Sequence, residues 1–390
     1  MTTGSPGTDL ERYRAEFPIF ATSLYLNTCS LCALSTRVEA AVGRFVSLWH
    51  EHGASAWYGP WWETIGRVRA RCASVIGAEP DEIALFPSIT AALTAVASAF
   101  RYRERPGVVM STLDFPTATY QWLAKERLGV RPVLIRGRDG LTVPPDEYAA
   151  AVDRHTELVV ASHVYFQSGY VQDLGRIAEI AHAAGALCVI DAYQGTGQLP
   201  TDVHGTGVDF LVSGGLKWLL GGPGIAFLYV RRDLHARLHP HDVGWFAHRD
   251  QFAFTTDLFE PAPDARRFEG GTPSLAAVYA MAAGLELVEE IGTARLRARQ
   301  VELVGDLVER LRSQGLSPRV PDDLSRHAGI VTVPVADPAA VVAGLRQRGI
   351  IVDARPGVIR ISPYFYNTAD DNRRVAGGLR EVLDASAGAS

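Results

Sequence analysis

The chain has 390 residues, 47% of them apolar and 21% charged, with a formal net charge of −5. Such a length admits two domains around one large core, and the composition is that of an ordinary globular protein. The charge leaves no basic footprint for nucleic acid, and no apolar run is long enough to span a bilayer.

The first residues, MTTGSPGTDLERYRAEFPIF, contain no basic stretch followed by an apolar one. No secretory leader is read there, and a cytoplasmic protein is expected. Residues 1–55 are expected to pack with a small C-terminal domain. They include Cys29 and Cys32, in NTCSLCAL. A zinc site would need a second pair at matching spacing, but Cys72 and Cys188 stand alone, so no metal is expected. A redox pair would need the surrounding thioredoxin pattern. Structural or substrate-facing thiols are the better reading.

Residues 56–274 read as a large α/β domain. From residue 83 onward come the short apolar runs IALF, GVVMST, PVLIR, ELVVASHV, ALCVIDA, DFLVSG and IAFLYV. Helical patterns such as SITAALTAVASAF and DLGRIAEIAHAAG lie between several of them. Strands apolar on both faces, alternating with helices, predict a mainly parallel seven-stranded sheet covered on both sides. Cys188, in ALCVIDA, is most simply a buried strand residue. The short link KWLLGGPG predicts an antiparallel edge pairing of the last two strands.

After about residue 275 the pattern changes. A long helical stretch, broken or bent near Gly292, leads to the short strands GIVTVPV and VIRIS, with the helix DPAAVVAGLRQRG between them. Residues 275–390 therefore read as a smaller α+β domain, with DASAGAS as a disordered end.

One residue stands out along this path. Of the 38 basic residues, only Lys125 and Lys217 are lysine, and Lys217 sits in the apolar, glycine-rich FLVSGGLKWLLGGPG. A guanidinium stays protonated, whereas a desolvated amine can lose its proton and attack a carbonyl. A turn lysine that snorkels from an apolar wall is the bland alternative. The neighbouring segments argue against it.

In an open parallel sheet, ligands bind beyond the carboxyl ends of the strands. Asp191 follows ALCVI, PSITAAL follows EIALF, LDFPTATY follows VVMST, and Lys217 follows DFLVSGG. Taken singly, Asp191 could be a turn residue, Phe115 core, and Ser88 an ordinary helix cap. Together they suit pyridoxal 5′-phosphate. Its aldehyde needs an amine, its ring nitrogen a carboxylate, its ring a flat neighbour, and its phosphate the N–H groups of a helix start.

VIDAYQGTG followed by GVDFLVSGGLKWLLGGPGIAFLYV resembles the class V aminotransferase family of fold-type I pyridoxal-phosphate enzymes. That family includes kynureninases, isopenicillin N epimerase-like proteins and cysteine desulfurases. GWFAHRD and GIIVDARPGVIRISPYFYNTADD are most similar to the kynureninase branch. The resemblance implies that Lys217 binds the cofactor covalently and that Asp191 pairs with its ring nitrogen. It puts Gln194 near the phenolic oxygen, Phe115 on the ring, and Ile89 and Thr90 in the phosphate-cradling turn. It assigns Trp245 and Thr272 to the phosphate site of a neighbouring subunit, and so implies a homodimer with composite sites. Arg360 would grip a substrate α-carboxylate, a two-point task suited to a guanidinium, and Asn27 and Ser30 would border the substrate.

Two departures matter. Leu216 precedes the lysine where kynureninases have tyrosine and the other branches histidine. No cysteine occupies the loop before Arg360, which disfavours a desulfurase. The implied activity is that of a side-chain lyase acting on an amino acid, with transamination as the alternative. The retained Lys217 and Asp191 speak against a non-catalytic binding module.

Overall fold

The computed structural model describes residues 8–388 apart from residue 138. In chain order the first half contains β1 (Leu24–Tyr25), α1 (Thr36–His52), α2 (Pro60–Ile76), β2 (Ile83–Phe86), α3 (Ile89–Ser98), β3 (Gly107–Ser111), α4 (Pro116–Leu123), β4 (Arg131–Ile135), α5 (Pro145–Ala151), β5 (Thr156–Ser162), α6 (Leu174–Ala183) and β6 (Leu187–Asp191). The second half continues with α7 (Val203–Thr206), β7 (Phe210–Gly214), β8 (Ala226–Val230), α8 (Leu275–Ile291), α9 (Thr293–Ser313), β9 (Val331–Pro334), α10 (Pro338–Gln347), β10 (Ile350–Ile351), β11 (Asp353–Arg355), β12 (Val358–Ile361) and α11 (Ala369–Gly388).

The seven apolar runs become one seven-stranded sheet, in the order β2-β8-β7-β6-β5-β3-β4. Only β8 runs against its neighbours, β7 and β2. The tight link after β7 makes that reversal, as its length predicts, but the pair is not at the sheet's edge, because β2 pairs along the other side of β8. The other pairings are parallel.

Side chains alternate across a strand, and both faces of this sheet are buried. Val109, Val159, Ile190 and Leu211 enter the core on one side, with α2, α6 and α8. Val108, Val160, Val189 and Val212 enter the core on the other, with α3 and α4. Each such side chain contributes about 1.5–3 kcal/mol by leaving water. Cys188 is fully buried in β6, in line with the strand reading.

The C-terminal part builds a second core around the three-stranded sheet β11-β12-β9. Leu303, Leu307 and Leu311 of α9, Leu345 of α10 and Leu379 of α11 fill it. The N-terminal segment divides between the two cores. Leu24 and Leu26 join the smaller one, where β1 pairs with β10, whereas Leu10, Tyr13 and Phe17 join the larger. The break at Gly292 falls between α8 and α9, where that glycine takes φ +86°.

One expectation fails at the C-terminus. α11 continues through Gly388, well into the segment read as a disordered end. Buried Leu379 and Val382 anchor the helix on the small core, and the alanines beyond them extend it at little cost. Ala389 and Ser390 lie outside the described residues.

Candidate active site

The carboxyl ends of the strands open into a cavity of about 290 Å³ lined by Cys29, Ser30, Ser88, Ile89, Thr90, Phe115, Thr117, Phe166, Asp191, Tyr193, Gln194, Leu216, Lys217, Arg355 and Arg360. Eight of the eleven residues singled out from the sequence thus meet in one place, drawn from both cores and the N-terminal segment.

Lys217 is 8% exposed, on the loop between β7 and β8. Burial pulls its amine down to about 8, against an upward pull from Asp191 and Cys29, with Arg360 and Arg355 adding to the fall. Its Nζ lies 4.4 Å from the ring centre of Tyr193 and 5.8 Å from that of Phe115. Asp191 ends β6, and its Oδ1 accepts the Tyr193 backbone N–H at 2.9 Å. Burial raises its carboxyl above the ordinary range, while that N–H and Lys217 pull it back.

The aromatic wall is set by Asp114. Its carboxylate accepts the backbone N–H of Ser111 at 2.7 Å and of Ser162 at 2.8 Å, tying the ends of β3 and β5 together just before Phe115. Phe115 then meets Phe166 edge-on, with ring centres 5.2 Å apart. Ser88 caps α3, its hydroxyl accepting the Ala91 N–H at 3.2 Å. The first-turn N–H groups around Ile89 and Thr90 have no carbonyl of their own helix to bond, so this end of the cavity suits an anion.

Arg360 sits on β12 and is 1% exposed. Its Nη1 donates to the Phe166 carbonyl at 2.7 Å, and its Nη2 donates to Ser30 Oγ at 2.9 Å and to Asp353. Its Nε–H has no partner. Gln194 is almost fully engaged already. Its Oε1 accepts from Trp218 Nε1 at 2.8 Å, and its Nε2 donates to the Cys29 carbonyl at 2.9 Å. This fixes the amide in the wall and leaves one hydrogen of Nε2 to face a ligand.

Three of the singled-out residues lie elsewhere. Asn27 bridges to Ser362, and its neighbour Cys29 takes the place at the cavity. Trp245 lines a separate cavity of about 600 Å³ within residues 243–259. Thr272 lines another, of about 440 Å³, beside Pro87 and Thr94. Conversely, Tyr193, Phe166, Asp353 and Arg355 escaped the sequence reading. Tyr193 and Phe166 could have been found by the rule that found Asp191, since each follows the carboxyl end of a strand. Asp353 and Arg355 lay in the quoted stretch GIIVDARPGVIRIS, with no sign of which way they face.

An amine and a carboxylate in one cavity, an exposed aromatic face and a helix start are the donor set that pyridoxal phosphate requires, carried on a fold-type I scaffold. The aminotransferase class-V family model matches residues 61–375, and the chain belongs to that family. It is an enzyme that uses pyridoxal 5′-phosphate. It is 35% identical to an uncharacterized aminotransferase, YcbU, of Bacillus subtilis over 93% of this chain and 95% of that one. It is also 30% identical to a kynureninase of Deinococcus radiodurans, over 98% of each. Among solved structures, a cysteine desulfurase from Thermococcus onnurineus superimposes with a TM-score of 0.87 at 23% identity, covering 99% of this chain and 100% of that one. The cystine C-S lyase C-DES, in complex with cysteine persulfide, does so at 0.85 and 21%, covering 94% and 99%. These two likenesses concern the fold.

Proposed function

We propose that the chain is a lyase acting on the side chain of an α-amino acid, and that it works as a cytoplasmic homodimer. The observation that carries the reading is the meeting of a reactive amine, a carboxylate and a buried guanidinium in one cavity. Lys217 would hold the cofactor's aldehyde carbon, Asp191 its ring nitrogen, Phe115 its ring, and the start of α3 with Ile89 and Thr90 its phosphate. The bound cofactor supplies an electron sink for the pair left at Cα when a proton departs.

The chain's own groups do the rest. Arg360 lines the cavity, held in place by the Phe166 carbonyl, and its guanidinium would take the substrate carboxylate there. An amine pulled down to about 8 is in part neutral near neutral pH, so Lys217 can take the Cα proton on Nζ. Asp191, fixed by the Tyr193 N–H, holds the ring nitrogen's proton. Leu216 offers no second acid beside the amine. A group that departs from Cβ with its own electron pair needs none, which favours elimination. The kynureninases among the relatives support cleavage in the side chain, while the aminotransferase relative keeps transfer of the amino group as the alternative.

The test is a panel of L-amino acids, kynurenine and S-substituted cysteines, assayed for pyruvate, ammonia and alanine. Pyruvate with ammonia, or alanine, is the expected result. Stoichiometric amination of the cofactor, with neither product formed, would make the enzyme an aminotransferase and overturn the reading.

A further inference from the structure

The substrate end of the cavity has an unusual charge arrangement. β11 and β12 form a hairpin whose register sets Asp353 opposite Arg360 and Arg355 opposite Val358. Alternation along β11 puts Asp353 and Arg355 on one side of it. Arg355 and Arg360 both line the cavity. Asp353 bonds to both of them. Its Oδ1 accepts from Arg355 Nη1 at 2.8 Å, and its Oδ2 accepts from Arg360 Nη2 and from the Ser30 hydroxyl. Burial works against the charge on Asp353, but Ser30 and the two guanidiniums together hold its carboxyl below the ordinary range.

Two guanidiniums and one carboxylate leave one net positive charge. The other ionised groups of the cavity, Lys217 and Asp191, are committed to the cofactor. One substrate α-carboxylate therefore completes the balance. A second anionic group would meet no free cation: Arg355 is already paired, and the other lining residues are uncharged, among them Phe115, Phe166 and Leu216 and the hydroxyls of Ser88, Thr90 and Thr117. An unpaired charge in such a place is costly, and like charges brought together add to the cost.

We propose that Asp353 is a specificity-determining residue that restricts the enzyme to amino acids with uncharged side chains. It does so by cancelling the charge of one of the two arginines. The proposal rests on the reading of Arg360 as the α-carboxylate site.

The test compares ligands of one shape and different charge. L-Asparagine and L-aspartate, with L-glutamine and L-glutamate as a second pair, are titrated into the cofactor-loaded enzyme, and binding is read from the cofactor's absorbance. The wild type should bind the amides about tenfold or more tightly than the acids. Asp353→Asn raises the local charge by one and should shrink that ratio by about tenfold or more. Arg355→Gln should widen it. The double variant Asp353→Asn/Arg355→Gln restores the net charge and should bring the ratio back towards that of the wild type. If Asp353→Asn does not fold, the opposite shift in Arg355→Gln still decides. A wild type that binds acids as well as amides, or ratios that do not follow the charge, would overturn the role of Asp353 while leaving the cofactor site intact. A loaded enzyme that responds to no amino acid would instead overturn the reading of Arg360, and the specificity rule with it.

Discussion

Lys217 is a buried amine in a chain that otherwise carries its positive charge almost entirely as arginine. Its surroundings decide when it can react. The neutral amine is the nucleophile, so reactivity rises as pH climbs through its own titration. Burial moves that point from the ordinary 10.5 to about 8. Cofactor-free protein should therefore take up pyridoxal phosphate faster as pH rises, levelling off above about 8. Asp191 pulls the other way, so Asp191→Asn should shift the midpoint to lower pH. Stopped-flow absorbance across a pH series measures both. A midpoint near that of an exposed lysine would contradict the burial argument.

The loop that carries Lys217 is positioned by an element distant in sequence. Residues 219–221 lie directly on α8 at Gly284, where an ideal Cβ would stand 2.6 Å from the Leu220 carbonyl carbon and 2.7 Å from the Gly221 nitrogen. A side chain there must push the loop away, because backbone cannot yield as a flexible side chain can. Leu220 itself takes φ +59°, a left-handed conformation held by the same packing. Gly284→Ala should thus cost roughly 1–3 kcal/mol of stability, as overpacking does, and should weaken cofactor binding by displacing Lys217. Urea unfolding of the cofactor-free protein and a cofactor titration check the two effects. Unchanged cofactor affinity would show that the loop is placed by something else. None of this was legible from sequence, since nothing near Gly284 in LAAVYAMAAGLELVEEI says what approaches it. The strands were legible because each is a short run apolar on both faces. Asp191, Phe115 and Lys217 were legible because the end of a strand states its own place in the sheet. Asp353 and Arg355 were not, because the hairpin that carries them belongs to the small domain. Its orientation over the sheet edge depends on how the two cores meet.

At the scale of the molecule, an aromatic surface remains beyond these cores. Tyr58, Trp245, Phe252, Phe254 and Phe259 are all exposed, and Tyr58 packs on Phe252 while Trp245 stacks on Phe254. An exposed aromatic cluster of that kind is the usual mark of an interaction face. Trp245 belongs to it, which supports the reading that this segment serves a second copy. A dimer burying roughly 2,000 Å² or more is expected, and sedimentation of a fully active monomer would contradict it. No helix among the described residues is long and apolar enough to cross a membrane. The central claim, that this molecule is organised around a cofactor bound to Lys217, has a direct test. Protein loaded with pyridoxal phosphate is reduced with borohydride, digested and mapped by mass spectrometry. The reduced cofactor should be found on the peptide containing Lys217 and be absent from the one containing Lys125. Its recovery on Lys125, or on neither lysine from protein that binds the cofactor, would contradict the account.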